Sequence, residues 1–143
     1  VLGELSDGAL RICRQNIRRN GLTGRVTAMQ LDALHPPLQR LGEFDCIVSN
    51  PPYIDAADPH LAEGDVRFEP ASALASGPAG LDDIVRIVTA APAFLEPGGW
   101  LLLEHGYDQA PAVREQLRAG GFAEVASARD LAGIERITLG RRP

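Results

Sequence analysis

The sequence has no lysine. All 14 of its basic residues are arginine, a bias that suggests genome composition more than function. Only two cysteines occur. Cys13 and Cys46 each lie inside an apolar pattern and make no Cys-x-x-Cys or Cys/His spacing, so neither a zinc site nor a disulfide framework is expected, no metal is called for, and a reducing cytoplasm is the default location. No apolar run approaches the ~18 residues of a membrane span, and the N-terminus shows neither the basic stretch nor the cleavage site of a secretory signal. A membrane partner is therefore not expected. Positive charge is also scarce relative to negative: 19 acidic residues leave a net charge of −5 and a pI near 5.1. With no basic stripe there is no generic attraction for phosphate backbones, and direct nucleic-acid binding is not expected. What remains is 143 residues that are 45% hydrophobic, enough for one domain that buries on the order of 70% of its unfolded surface without a covalent staple. A monomer is the working expectation.

Periodicity supplies the elements. Over residues 6–20, Leu10, Cys13 and Ile17 recur at helical spacing, with Ser6 able to cap the first N–H groups and Gly21 placed to end the helix in a left-handed turn. Residues 1–4 read as the tail of a preceding strand, and residues 25–31 as the next one, closing on Asp32. After a loop with His35, Pro36 and Pro37, the apolar run 44–49 predicts a central parallel strand covered on both faces, stopped abruptly by Asn50, Pro51 and Pro52. Residues 53–80 lack a sustained period and read as a long excursion with one short helical turn, the kind of loop that usually carries function. A second helix starts near Leu81 with Ile84, Ile87, Val88 and Ala91 on one face, and Pro92 shortens its end. A strand over 100–104 follows the Pro97-Gly98-Gly99 turn. Ala110, Val113 and Leu117 mark a third helix, and strands near 122–127 and 136–140 finish the chain.

Alternating strands and helices imply an α/β fold with a mostly parallel sheet, whose ligands bind beyond the carboxyl ends of the strands. Glu4, Asp32 and Asn50 each stand at such an end, so the three are expected to line one crevice. A carboxylate at the position of Glu4 suits the two ribose hydroxyls of a nucleotide-like cofactor.

The run Asn50-Pro51-Pro52-Tyr53 has a chemical reading of its own. Prolines fix their φ and restrict the residue before them to extended conformations, so the carbonyls here are stiffly aimed. Proline has no N–H, which leaves acceptors without competing donors, and the Asn50 side-chain oxygen adds another. Two such acceptors grip both hydrogens of a planar NH2 group, while Tyr53 packs on its π-system. An amide or aryl amine nitrogen that attacks an electrophile pyramidalises and gains positive charge, a change fixed carbonyl dipoles stabilise more than they stabilise the flat ground state. The segment favours nitrogen alkylation.

At these residues the chain resembles the class I S-adenosylmethionine-dependent methyltransferases, and more closely the protein-(glutamine-N5) methyltransferases that modify peptide chain release factors. The resemblance runs over FDCIVSNPPYI at 44–54, DPHL at 58–61, GDVRFEP at 64–70, LLEHG at 102–106 and RDLAG at 129–133 with Glu135 and Arg136. The Asn-Pro-Pro-Tyr run alone is shared with adenine-N6 and guanine-N2 methyltransferases of nucleic acids; the 67–70 stretch and the ending around Asp130 point to the glutamine enzymes. The resemblance implies a Rossmann-like, doubly wound sheet with a C-terminal antiparallel strand. It implies S-adenosyl-L-methionine as cofactor, with S-adenosyl-L-homocysteine as product, held at Glu4 on the ribose, at Asp32 and Ala33 beside the adenine, and at Asn50. It gives Asn50, Pro51, Pro52 and Tyr53 the glutamine-binding and catalytic roles, and places Phe68 and Glu69 in a segment that walls the substrate pocket. Glu104, His35 and His60 receive no catalytic role. The family's Gly-rich loop and N-terminal helical domain have no counterpart in these residues, so the chain reads as a catalytic domain without its first strand and helix. Methyl transfer to a release-factor glutamine is the leading expectation. The alternatives are a ribosomal-protein glutamine, an exocyclic amine of a nucleic acid, or a fragment that serves as an interaction module without catalysis.

Overall fold

The structure is a computed structural model and describes residues 1–32 and 41–143. The chain divides into two compact units, Val1–Arg40 and Leu41–Pro143.

In the first unit, strand β1 (Leu2–Glu4) pairs in parallel with β2 (Ala28–Gln30), with Leu2 opposite Ala28 and Glu4 opposite Gln30. Helix α1 (Asp7–Arg19) makes the crossover between them, as parallel pairing requires. Its ends are those the sequence predicts. The Ser6 hydroxyl accepts from the Ala9 N–H. At the other end Gly21 takes φ +65°, the Leu22 N–H donates to the Ile17 carbonyl and the Gly21 N–H to that of Arg18. That is a Schellman close, and it needs a residue free of a Cβ at the left-handed position. Asp7 in the first turn and Arg18 and Arg19 in the last complement the helix dipole. Leu10 and Ile17 are buried, one stripe of the predicted face. Replacing Ser6 by alanine is expected to lower the stability of this unit by about 1 kcal/mol, to be read from urea unfolding followed by circular dichroism. Strand β2 is shorter than the predicted 25–31, because the Arg25 and Val26 N–H groups are both bonded to the Leu22 carbonyl in a turn that keeps them out of the ladder.

The second unit holds a four-stranded sheet of order β3-β4-β6-β5, made of β3 (Phe44–Ser49), β4 (Leu95–Glu104), β5 (Ala123–Arg129) and β6 (Glu135–Arg141). Strands β3 and β4 are parallel, and β6 runs antiparallel to both β4 and β5. Three strands thus point one way, and the last in sequence is reversed and inserted between β4 and β5. The sheet is mixed, with the expected C-terminal antiparallel strand. Two expectations need correction. Strand β3 was predicted to be central, yet among the described residues its ladder runs to β4 and it stands at the end of the order. Strand β4 begins at Leu95, not at Trp100, because the glycine pair does not break it. The Gly98 N–H donates to the Arg142 carbonyl and the Arg142 N–H to that of Gly99, while the register with β3 jumps from Phe44–Leu95 to Cys46–Trp100, so the extra residues bulge out of the ladder.

Helices α2 (Asp82–Ala90) and α3 (Ala110–Ala119) lie where periodicity places them, and Pro92 converts the end of α2 into a 3-10 turn, Ala91–Ala93. Ile84, Leu95, Leu101, Leu103, Val113 and Leu117 are wholly buried and form the core between sheet and helices. The excursion contains four 3-10 turns where one helical turn was predicted: Pro59–Ala62, Val66–Phe68, Ala71–Ala73 and Pro78–Gly80. Its two ends are stitched together. Ile54 bridges Ala75 in parallel, with the Ile54 N–H on the Leu74 carbonyl and the Ser76 N–H on that of Ile54.

Candidate active site

The end of β3 delivers Asn50, Pro51, Pro52 and Tyr53 in succession beyond the last ladder residue, Ser49. Asn50 is exposed, Pro51 is buried, and Pro52 and Tyr53 are half-buried. Asn50 therefore stands at the surface on a backbone anchored by the residue after it.

Tyr53 is held at both ends. Its carbonyl accepts from Gln109 Nε2 at 2.9 Å, and the same nitrogen donates to the Ala79 carbonyl at 2.8 Å. Gln109 Oε1 in turn accepts from the Gly106 N–H at 2.7 Å. One side chain thus satisfies backbone groups from the strand-end motif, the end of the excursion and the turn after β4. Gln109 stands at the N-cap of α3 but makes no capping bond there; its side chain is committed to these three groups instead. The hydroxyl of Tyr53 donates to Glu104 Oε1 at 3.2 Å and accepts from Arg136 NH2 at 2.8 Å. Burial, the largest effect, pushes the Tyr53 phenol above its ordinary value; Arg136 pulls it down and Glu104 pushes it up. At neutral pH the hydroxyl keeps its proton.

The excursion is tied to the motif by Asp55. Its Oδ1 accepts from the Ala57 N–H at 2.8 Å and its Oδ2 from the Ala79 N–H at 2.9 Å. These two bonds, the Ala57 one first, hold its carboxyl below the usual range. A depressed folded-state pKa gives stability that is full above the unfolded value and lost as pH falls through the folded one. Below about pH 4 the closure between residues 55 and 79 is expected to weaken, seen as faster pepsin cleavage within the excursion, and Asp55→Asn is expected to remove most of that pH dependence.

Beneath the site, His105 is fully buried. Since a carbonyl only accepts, His105 Nδ1 carries a proton and donates to the Gly106 carbonyl at 2.9 Å, and Nε2 is hydrogen-bonded to the Thr138 hydroxyl at 2.8 Å. The Thr138 and Ser127 hydroxyls are hydrogen-bonded at 2.9 Å, and Ser127 accepts from Arg114 at 2.7 Å. Arg114 also pairs with Glu135 at 2.9 Å, and that bond holds the Glu135 carboxyl below its usual range. The chain of bonds ties β4, β5, β6 and α3 together under Glu104.

The remaining predicted residues are placed as follows. Glu4 ends β1 and its Oε1 accepts from the Ser6 N–H at 2.8 Å. A carboxylate has about four lone-pair sites, so this bond leaves capacity for further donors. Asp32 is half-buried, two residues beyond β2. Glu4 and Asp32 belong to the first unit, and Asn50, Pro51, Pro52, Tyr53, Phe68 and Glu69 to the second. Ala33 and His35 lie outside the described residues. Phe68 is 74% exposed, with the Arg67 guanidinium 4.7 Å from its ring centroid, and Glu69 is exposed; they are surface residues of the excursion. His60 is exposed and pairs with Asp58 at 2.8 Å.

Residues 3–66 match the family model described as RMKL-like, methyltransferase domain. The release factor glutamine methyltransferase of Pseudomonas aeruginosa is 67% identical over 68% of this chain and 36% of its own length, and that of Burkholderia pseudomallei is 50% identical over 98% of this chain and 50% of its own. Over most of its length the chain is similar to release factor glutamine methyltransferases. It spans between about a third and a half of the length of these two relatives. Among solved structures, the release-factor-specific protein-(glutamine-N5) methyltransferase of Alicyclobacillus acidocaldarius superposes with a TM-score of 0.54 at 27% identity, over 99% of this chain and 77% of that one. A methyltransferase from Pyrococcus furiosus reaches 0.66 at 18% identity, over 98% of this chain and 60% of that one, a likeness of fold alone. The Rossmann-like reading of the family resemblance is thus met in three dimensions. Gln109 was not singled out from sequence, Glu104 was assigned no chemistry, and Arg136 entered only as part of a matching string. Gln109 carried a weak signal: a long polar side chain just before a helix reads as a cap, and nothing local says that it reaches elsewhere.

Proposed function

We propose that this protein transfers a methyl group from S-adenosyl-L-methionine to the side-chain amide nitrogen N5 of a glutamine in a peptide chain release factor. The observation that carries the reading is the strand-end motif itself: an exposed Asn50 and proline-stiffened carbonyls next to a tyrosine whose backbone and hydroxyl are both tied down. The names of the relatives at 67% and 50% identity support the same substrate. In this reading Glu4, Asp32 and Ala33 hold the cofactor, with Asn50 contributing. The bound cofactor supplies an electrophilic methyl group.

Asn50 and Pro51 accept the two N–H groups of the glutamine amide and turn its lone pair toward the methyl donor. As the nitrogen becomes pyramidal and positive, their fixed dipoles stabilise it without reorganising. Pro52 keeps the segment extended and adds no competing donor. Tyr53 packs on the flat amide and keeps water off it; with its hydroxyl committed to Glu104 and Arg136, the ring is what it offers to substrate. The nitrogen loses its extra proton after transfer, when it is acidic enough to give it to water, so the motif needs no base of its own.

The test is incubation of the protein with S-adenosyl-L-methionine and a release factor, followed by peptide mass spectrometry. Methylation on one glutamine side chain is the expected result. Methyl groups found only on a ribosomal protein or on nucleic-acid bases, with the release factor untouched, would replace this reading.

A further inference from the structure

The Tyr53 hydroxyl lies between two oppositely charged side chains from two different strands. Glu104 ends β4 and accepts its hydrogen bond; Arg136, near the start of the reversed β6, donates to its oxygen. Arg136 NH2 is 3.8 Å from Glu104 Oε1, and its guanidinium carbon is 5.3 Å from the centroid of the Tyr53 ring. A tyrosine side chain has two torsions. With the backbone fixed by Gln109 at one end and the hydroxyl fixed by a donor and an acceptor at the other, neither torsion is free to relax. The two side chains are 37% and 26% exposed for Glu104 and Arg136, and a partly solvated ion pair of this length contributes little to stability. Its effect falls on the ring that it orients.

We propose that Glu104 and Arg136 are positioning residues that set the plane of the Tyr53 ring against the substrate amide, a role that rests on the glutamine reading above. The ring must lie flat on the amide for Asn50 and Pro51 to meet both N–H groups, and displacing a reacting group by about 1 Å costs on the order of a hundredfold in rate. Loss of one tether frees the ring by less than that.

The experiment is a set of mutant cycles in the full protein, with kcat and KM measured on a release factor for Tyr53→Phe, Glu104→Ala and Arg136→Met and for each pair with Tyr53→Phe. Each single variant is expected to lower kcat about tenfold while leaving KM for the cofactor unchanged. Since both tethers act through the hydroxyl, Glu104→Ala or Arg136→Met added to Tyr53→Phe is expected to cost less than about twofold more. A full tenfold cost in the Tyr53→Phe background, or no cost in the wild-type background, overturns the proposal. A second readout is independent of turnover. In 13Cζ-tyrosine NMR, with the Tyr53 signal assigned by its loss in Tyr53→Phe, the titration midpoint is expected to fall in Glu104→Ala and rise in Arg136→Met; a midpoint unmoved in both overturns the contacts. A wild-type protein that binds cofactor but leaves every release-factor glutamine unmodified overturns the glutamine reading instead, and is told apart from these outcomes by needing no variant.

Discussion

Replacing Asn50 with alanine is expected to lower kcat/KM for the glutamine substrate by about 10²- to 10³-fold, the cost of deleting one preorganised dipole aimed at developing charge. Asn50 follows directly on the last residue of β3 and is exposed, so its side chain is not part of the core and the variant is expected to unfold within about 0.5 kcal/mol of the parent. The loss belongs mainly in kcat. In the proposed reaction a flat amide donates to the Asn50 oxygen before reaction, but the bond strengthens as positive charge gathers on the nitrogen, and an interaction that grows in the transition state lowers kcat more than it raises KM. Initial rates of release-factor methylation, quantified by mass spectrometry, supply the number. Undiminished turnover in Asn50→Ala would remove the amide from the mechanism and leave the proline carbonyls as the only acceptors.

Gly80→Ala is expected to damage the site through a residue that never touches substrate. Gly80 adopts φ +67°, and a Cβ built there would lie 2.0 Å from the Tyr53 carbonyl oxygen, 2.5 Å from its carbon and 3.0 Å from Gln109 Nε2. Backbone is on the far side of the clash, so no flexible side chain can give way. Either the Tyr53 peptide or the Pro78–Gly80 turn must move, and the two Gln109 bonds to Tyr53 and Ala79 open. Strain of about 1–3 kcal/mol and about 1 kcal/mol for each lost hydrogen bond make this the more destabilising of the two changes. Activity at a temperature where the variant is still folded is expected to fall with it, because the motif is displaced. Gly121→Ala is the matched control. It also sits at positive φ, +82°, yet nothing lies within 4 Å of its Cβ, so only the backbone term of about 1 kcal/mol applies and methylation is expected to persist. Urea denaturation of both variants beside their initial rates separates the two contributions; equal losses of activity would show that the Gly80 contact does not hold the motif.

The legible parts of this fold are those encoded within a few residues. Helix α1 starts at Ser6 and closes at Gly21 because a hydroxyl cap and a left-handed glycine act on their own turns. Strand β3 ends where consecutive prolines deprive the ladder of donors. The faces of α2 and α3 follow from apolar spacing. The misses have one kind of cause. Pro97-Gly98-Gly99 carries a strong local turn signal, yet bonds to Arg142 keep those residues in β4. The apolar run of β3 fits a strand covered on both sides, but composition says nothing of its neighbours, and among the described residues its ladder runs to β4.

The sequence by itself determined the make-up of the motif: Asn50, Pro51, Pro52 and Tyr53 are consecutive, so their acceptors and ring come as one piece whatever surrounds them. Only the tertiary structure decided what holds that piece in place. Glu104, Gln109 and Arg136 reach Tyr53 from 51, 56 and 83 residues away. Arg136 arrives because the final strand reverses and inserts beside β4, and strand order is set by the packing of whole faces rather than by any period along the chain. The absence of lysine that marks the composition has a small counterpart here. The cation beside Tyr53 is an arginine, whose planar guanidinium can donate to the hydroxyl, face the carboxylate and lie over the ring at once.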